Sequence, residues 1–358
     1  MKSSKLFVVV LPLALFMVGY IGLQMAEQPT QPQALVVQPA TANSNNNQLI
    51  CGVSFEAPPR PINQNSLEPI VEVNANWVAV IPYAFSRAGQ PSVNFNYSRQ
   101  WWGEREEGAR ATITYAHNLG LKVMLKPQVW IGGQGWPGEY KLTTESQWQQ
   151  WEKDYAAYLL SYAKVAHETN AEMLCIGTEY RLAVRQRPQF WPALIQQIKE
   201  VYKGKLTYAA NWDNIENVTF WDRLDYIGID AYFPLCESKT PTVAELQANW
   251  APHLKQIEAL YQKNNKPVLF TEYGYRSIDY AAGGHWNVEG KAVQTNHQAQ
   301  CNAYTALFTT LLKQKWYRGG FLWKWHANHQ NAGGNNNNRF TPQNKPAQDI
   351  IKNYYARQ

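Results

Sequence analysis

The stretch Tyr115-Ala-His-Asn-Leu-Gly-Leu-Lys-Val-Met-Leu-Lys-Pro127 decides the fold. Its first half reads as the end of a helix, stopped at Asn118–Gly120, where glycine supplies the left-handed conformation that closes a helix. Its second half is a short apolar run from Lys122 that reads as a strand. A helix feeding straight into a strand is the repeating unit of a parallel sheet with crossover helices.

The unit recurs in both directions. Strands are predicted over 50–56, 77–83, 122–129, 172–179, 206–212, 226–232, 267–272 and 319–325, with helices over 108–118, 145–169, 191–202, 242–261 and 295–315. Eight such strands predict closure into a (β/α)8 TIM barrel, with a doubly wound open sheet as the alternative. An open sheet that bound a dinucleotide would need a glycine-rich first turn. Here the first strand runs into Ala57-Pro-Pro-Arg-Pro61, and the chain contains neither GxGxxG nor GxxxxGK[ST].

Composition narrows the function. Hydrophobic residues make up 45% of the 358 residues and charged residues 17%, enough apolar material for a large core and too little charge for a disordered chain. The balance of 33 basic against 27 acidic residues, with no basic run longer than two, argues against a reader of phosphate backbones, so no nucleic-acid partner is expected. Fifteen Trp, 21 Tyr and 12 Phe are what sugar-stacking platforms need, and equally what a Trp-rich core contains.

The N-terminus reads as a targeting segment. Lys2 and Lys5 precede an uncharged apolar run over residues 6–23, interrupted only by Pro12. Residues 1–26 are either a signal peptide, with Gln24 at a position where a small residue is usual, or an uncleaved membrane anchor through residues 6–23. Both readings export the chain, to the periplasm, the exterior or the exported face of a membrane. Residues 27–48, rich in Pro, Gln and Asn, read as a linker. The barrel domain is then 49–358.

In a barrel, chemistry belongs at the C-terminal ends of strands. Glu179 ends the fourth strand and Glu272 the seventh, each after an apolar run where an uncompensated charge is costly. A pair of carboxyl groups facing one sugar is what glycosidic bond cleavage requires. The alternative is that Arg181 and Arg276 neutralise them at the rim. Lys126 and Asp230 end strands and point inward by alternation, so both are expected as polar contacts to substrate; a lysine there otherwise needs a carboxylate partner, which Asp230 could supply. His326 and His329 stand close together, but no HExxH or cysteine cluster accompanies them, so no metal or cofactor is expected. Cys175 reads as a buried thiol. Cys236 and Cys301 are the pair that export would allow to form a disulfide.

Six segments taken in order carry a family resemblance. They are Gly120-Leu-Lys-Val-Met-Leu-Lys-Pro127, Ile176-Gly-Thr-Glu-Tyr180, Leu206-Thr-Tyr-Ala-Ala-Asn-Trp212, Leu224-Asp-Tyr-Ile-Gly-Ile-Asp-Ala-Tyr-Phe-Pro-Leu235, Lys266-Pro-Val-Leu-Phe-Thr-Glu-Tyr-Gly-Tyr275 and Gly320-Phe-Leu-Trp-Lys-Trp325. With the closing Phe340-Thr-Pro-Gln-Asn-Lys-Pro-Ala347, the chain resembles the family 113 β-mannanases of clan A glycoside hydrolases.

The resemblance implies a retaining, endo-acting enzyme on β-mannan or manno-oligosaccharides. Glu179 matches the acid/base and Glu272 the nucleophile. Thr178 stands where many clan A families carry the asparagine that touches the sugar 2-hydroxyl, and Asn211 is a candidate for that contact. It further implies that Tyr232 hydrogen-bonds the nucleophile and that Trp325 floors the cleavage site. Trp323 shares its parity, so one of the two need reach the ligand. Trp130, Trp136 and Trp212 are expected platforms for further sugar units. Hydrolysis of another β-glycan is the competing reading, as is a non-catalytic glycan-binding protein of the envelope.

Overall fold

The computed structural model describes residues 48–284 and 294–358. Eight parallel strands close a barrel in the order β1-β10-β9-β8-β7-β6-β4-β2. They are β1 (Ile50–Phe55), β2 (Trp77–Val80), β4 (Lys122–Leu125), β6 (Met173–Thr178), β7 (Lys205–Asn211), β8 (Ile227–Asp230), β9 (Val268–Tyr273) and β10 (Tyr317–Trp325). The TIM-barrel expectation holds, strand for strand.

Two strands were not foreseen as separate elements. β3 (Tyr83–Arg87) and β5 (Gln128–Gly132) pair with each other as a two-stranded ribbon above the barrel mouth. Pro82 and Pro127 stand at the two breaks. A proline has no N–H to give a ladder, so each runs a strand out of the barrel. The predicted strands over 77–83 and 122–129 therefore end early, and their continuations become a wall of the site.

The helices fall between strands. They are α1 (Glu68–Glu72), α2 (Glu106–Asn118), α3 (Glu145–Glu168), α4 (Arg181–Gln186), α5 (Phe190–Val201), α6 (Val243–Asn249), α7 (Ala251–Asn264), α8 (His297–Leu311) and α9 (Pro346–Tyr355). The helix predicted over 242–261 is two, divided at Trp250 with a proline in the first turn of the second. Thr144 opens α3 and Thr242 opens α6 by reciprocal capping with Gln147 and Glu245.

Two clusters form the core. A small one, built from Ala79, Met124, Met173, Cys175, Ala209, Leu269 and Phe321, fills the barrel. Gly52 makes room for it, since a Cβ there would lie 2.4 Å from the Phe321 ring. A large one lies between barrel and helices. Trp151, Trp191, Trp221, Trp250, Trp316 and Trp325 are all fully buried, and Trp151 stacks on Tyr155 at 4.9 Å. Much of the aromatic surplus is therefore core.

Among the described residues no helix is long and apolar enough to cross a membrane. That corrects the membrane expectation, which the structure does not support. Residues 6–23, on which it rested, lie outside the described residues, as do the signal segment and nearly all of the linker. All four cysteines are free, so the Cys236–Cys301 bridge is not formed.

Candidate active site

Three strands of the barrel gain one residue just below the mouth. Opposite two residues of β7, Thr207 to Ala209, β6 places three steps, Cys175 to Thr178. Opposite Ile229 to Asp230, β9 steps from Phe270 to Glu272. Opposite Val53 to Phe55, β10 steps from Leu322 to Trp325. An extra residue re-aims every side chain beyond it. The residues beyond or within these bulges are Glu179, Glu272 and Trp323, and all three line one cavity of about 650 Å3. Glu179 has φ 55°, a left-handed conformation that costs a non-glycine residue about 1–3 kcal/mol and is typical of functional sites.

Glu272 is bonded through both oxygens. Lys126 Nζ and Gln128 Nε2 (2.8 Å) donate to Oε1, and the Tyr232 hydroxyl donates to Oε2 at 2.7 Å. Lys126 is fully buried and also lies 3.2 Å from Asp230 Oδ1. The Thr271 hydroxyl donates to the same Asp230 oxygen at 2.8 Å. One ammonium thus serves two carboxylates. Burial alone would lower the Lys126 pKa, but the Asp230 and Glu272 charges outweigh it and hold the ammonium above the ordinary lysine range. Burial, then the Glu272 charge, push Asp230 up, against the pull of Lys126 and Thr271.

Glu179 has a different environment. The Trp136 indole Nε1 donates to its Oε2 at 2.7 Å. Burial is the largest influence on the carboxyl, followed by the charges of Asp230 and Glu272, and together they push it well above the ordinary carboxylate range. Lys126 and Trp136 pull the other way without prevailing. The site therefore holds one carboxyl surrounded by donors and one biased toward its protonated form.

The loop that delivers Trp136 turns on two glycines. Gly133 and Gly135 have φ 82° and 81°, and the Gly135 N–H closes onto Ile131 O at 2.6 Å, folding the chain back from β5. The Arg181 guanidinium covers the Trp136 ring, 5.0 Å from its centroid, and pairs with Glu139 and, at 3.2 Å, with Asp213. Arg181 is thus engaged away from Glu179, and Arg276 donates to Asn338 O at 3.3 Å. Neutralisation of the two glutamates by these arginines is not what the structure contains.

The other expected site residues divide. Asn211, Trp212, Trp130 and Tyr232 all line the cavity. Trp130 is 52% exposed, an open apolar face, whereas Trp212 is half-buried against Phe233 and His253. Lys126 and Asp230, expected as polar contacts to substrate, are one correction: both are fully buried, neither lines the cavity, and they pair with each other, the alternative left open for the lysine. Trp325 is another. It is fully buried and stacks on His329 at 5.6 Å, outside the cavity, while Trp323 lines it. The extra residue in β10 separates the two tryptophans that alternation would have placed on one face. Trp136, expected as a platform, lines the cavity and is also the hydrogen-bond donor to Glu179. Tyr83 and Gln128 also line the cavity and had not been read as site residues, as does Phe340, which had been quoted only as the start of the closing segment. Two buried polar atoms at the cavity, Asn211 Oδ1 and Thr178 Oγ1, have no hydrogen-bond partner in the protein. Such atoms cost about 1–3 kcal/mol each unless something else satisfies them.

A (β/α)8 barrel that brings two carboxyls of opposite character into one aromatic-walled cavity defines a glycoside hydrolase site. The comparisons agree. Residues 59–345 match the sequence model of Glycoside Hydrolase Family 113, and the chain belongs to that family. A family 113 β-1,4-mannanase of known structure, solved as a complex, is 27% identical, with a TM-score of 0.76, over 87% of this chain and 100% of that one. The family 113 β-mannanase of Alicyclobacillus acidocaldarius is 24% identical with the same TM-score, over 87% and 98%. A Faecalibacterium prausnitzii β-glucuronidase shares the fold at 14% identity and a TM-score of 0.58, over 87% of this chain and 49% of its own. No curated protein sequence matches the chain. The chain is therefore a family 113 glycoside hydrolase, an enzyme rather than a non-catalytic glycan binder.

Proposed function

We propose that the enzyme hydrolyses β-1,4-mannosidic linkages with retention of configuration, in two displacements. The observation that carries this reading is the unlike surroundings of Glu179 and Glu272 within one cavity. Glu272, held by Lys126, Gln128 and Tyr232, attacks the anomeric carbon. Glu179 gives its proton to the glycosidic oxygen, the carbon–oxygen bond breaks, and a glycosyl ester forms on Glu272. The charge on Glu272 is then gone, which removes one of the influences that keep Glu179 protonated. Glu179 takes a proton from water, the water oxygen bonds to the anomeric carbon, and the ester releases Glu272 as carboxylate.

The ring of the attacked sugar lies over Trp323, and Asn211 Oδ1 accepts from its 2-hydroxyl, which satisfies a buried acceptor. Mannose enters through the relatives, since the two family 113 structures 27% identical to this chain are those of β-1,4-mannanases. Export through residues 1–26 belongs to the same proposal and would bring the enzyme to polysaccharide outside the cytoplasm.

The test is reducing-end release from a panel of β-1,4-mannan, glucomannan, a soluble cellulose derivative and xylan, with Glu272→Ala as control. Cleavage confined to mannose-containing chains and lost in the control is the expected result. Cleavage of cellulose derivative or xylan instead would overturn the substrate assignment.

A further inference from the structure

Lys345 sits where a cation is disfavoured. It is buried at the start of α9, and no carboxylate among the described residues pairs with it. Burial pushes its pKa down to about 7. Its Nζ meets three acceptors, Ser277 Oγ, Asn337 Oδ1 and Arg339 O, each at 2.9 Å. The Ser277 hydroxyl gives its own proton to Asn337 O at 2.6 Å. All three contacts therefore draw protons from Lys345, the full complement of an ammonium. A buried cation held by neutral acceptors alone is costly, and groups so perturbed cluster at functional sites.

The ammonium holds one wall of the catalytic cavity. Residues 337–341 belong to no helix or strand, and Phe340 among them lines the cavity. The Phe340 ring lies over Gly274, where a Cβ would stand 3.4 Å from it, and edge-on to Tyr232, with ring centroids 6.0 Å apart. Tyr232 in turn bonds Glu272. Lys345 takes the carbonyl of the residue before Phe340 and ties it to Ser277, on the loop that follows Glu272. Gln300 Nε2 donates to the carbonyl of Phe340 itself at 3.1 Å and to that of Tyr275 at 2.9 Å. Phe340 is thus fixed on both sides to the chain that leaves β9.

We propose that Lys345 is a positioning residue for catalysis: by fixing Arg339 O against Ser277 it holds Phe340 on Tyr232, and so keeps the Tyr232 hydroxyl on Glu272. The proposal rests on the role given to Glu272 and not on which glycan is cut. A catalytic contact displaced by about 1 Å can cost about a hundredfold in rate, so a residue that never touches substrate can still act on kcat.

The experiment is a cycle of Lys345→Met and Tyr232→Phe on the panel glycan that the unaltered enzyme cleaves fastest. Rates are taken per folded enzyme, counted from near-ultraviolet circular dichroism. Lys345→Met is expected to lower kcat about tenfold in the unaltered enzyme and by less than about twofold in Tyr232→Phe, where the hydroxyl it positions is already gone. Lys345→Gln, which keeps two donors, should fall between, and it enters the same cycle should Lys345→Met not fold. Equal losses in the two backgrounds, or no loss in the first, overturn the proposal and leave the glycosidase reading intact. Activity retained in Glu272→Ala, or no cleavage of any panel glycan, overturns that reading and the proposal together.

Discussion

Lys126 Nζ stands 3.2 Å from Asp230 Oδ1, both side chains are fully buried, and the same ammonium reaches Glu272. One cation thus balances two carboxylates at the base of the catalytic cavity. Removing one partner of a buried ion pair costs about 3–5 kcal/mol, because the remaining charge has no water to return to. Lys126→Met is expected to lower the unfolding free energy by at least about 3 kcal/mol in urea titration. Adding Asp230→Asn should recover part of that loss and none of the activity, since Glu272 still lacks its cation. Equal stability of the single and double variants would count against the shared-cation account.

Glu179 is held above the ordinary carboxylate range, first by burial and then by Asp230 and Glu272. A carboxyl raised in the folded state is tolerated while protonated and destabilises the fold as pH rises through its folded-state value. Glu179→Gln removes that ionisation. The melting temperature of the variant should match the parent in acid and exceed it increasingly toward neutral pH, while kcat on natural glycans falls about 10²- to 10⁴-fold. A melting-temperature gap that closes with rising pH would contradict the assignment.

Trp136 donates to Glu179 at 2.7 Å and thereby opposes the other influences on that carboxyl. Trp136→Phe keeps the ring under Arg181 and deletes the donor. The alkaline limb of the kcat/KM profile should move to higher pH. Arg181→Met, which releases the indole from its cover and its two acidic partners, should move the limb the same way by loosening the bond. A limb unmoved in both variants would mean that Glu179 does not set it.

The four thiols are free, three of them buried, and burial raises Cys51, Cys175 and Cys301 above the ordinary thiol range. A reductant should leave the melting temperature unchanged, and thiol titration should count four groups after unfolding and fewer before. Two groups after unfolding would indicate a disulfide.

The barrel was legible because its strands are apolar runs separated by helices, a pattern that survives without tertiary information. The positions of Glu179 and Glu272 at strand ends were legible for the same reason, as were Lys126 and Asp230, whose inward aim follows plain alternation. Trp325 was misassigned because alternation is valid only while paired strands advance together, and β10 gains a residue between Leu322 and Trp325. The predicted strands ran straight through Pro82 and Pro127, because an apolar run gives no sign of where its strand leaves the barrel, so the ribbon of β3 and β5, with Tyr83 and Gln128 on it, was merged with β2 and β4. The role of Trp136 depends on a turn at Gly133 and Gly135 that determines where an indole N–H points, which composition does not encode.

In the proposed mechanism Glu272 forms the covalent bond to sugar while Glu179 carries the proton. A slow 2-deoxy-2-fluoro mannosyl donor, followed by digestion and peptide mass mapping, reads this directly. One label per chain is expected, on Glu272, lost in Glu272→Ala. A label on Glu179 or Asp230, or a first product of inverted configuration, would contradict it.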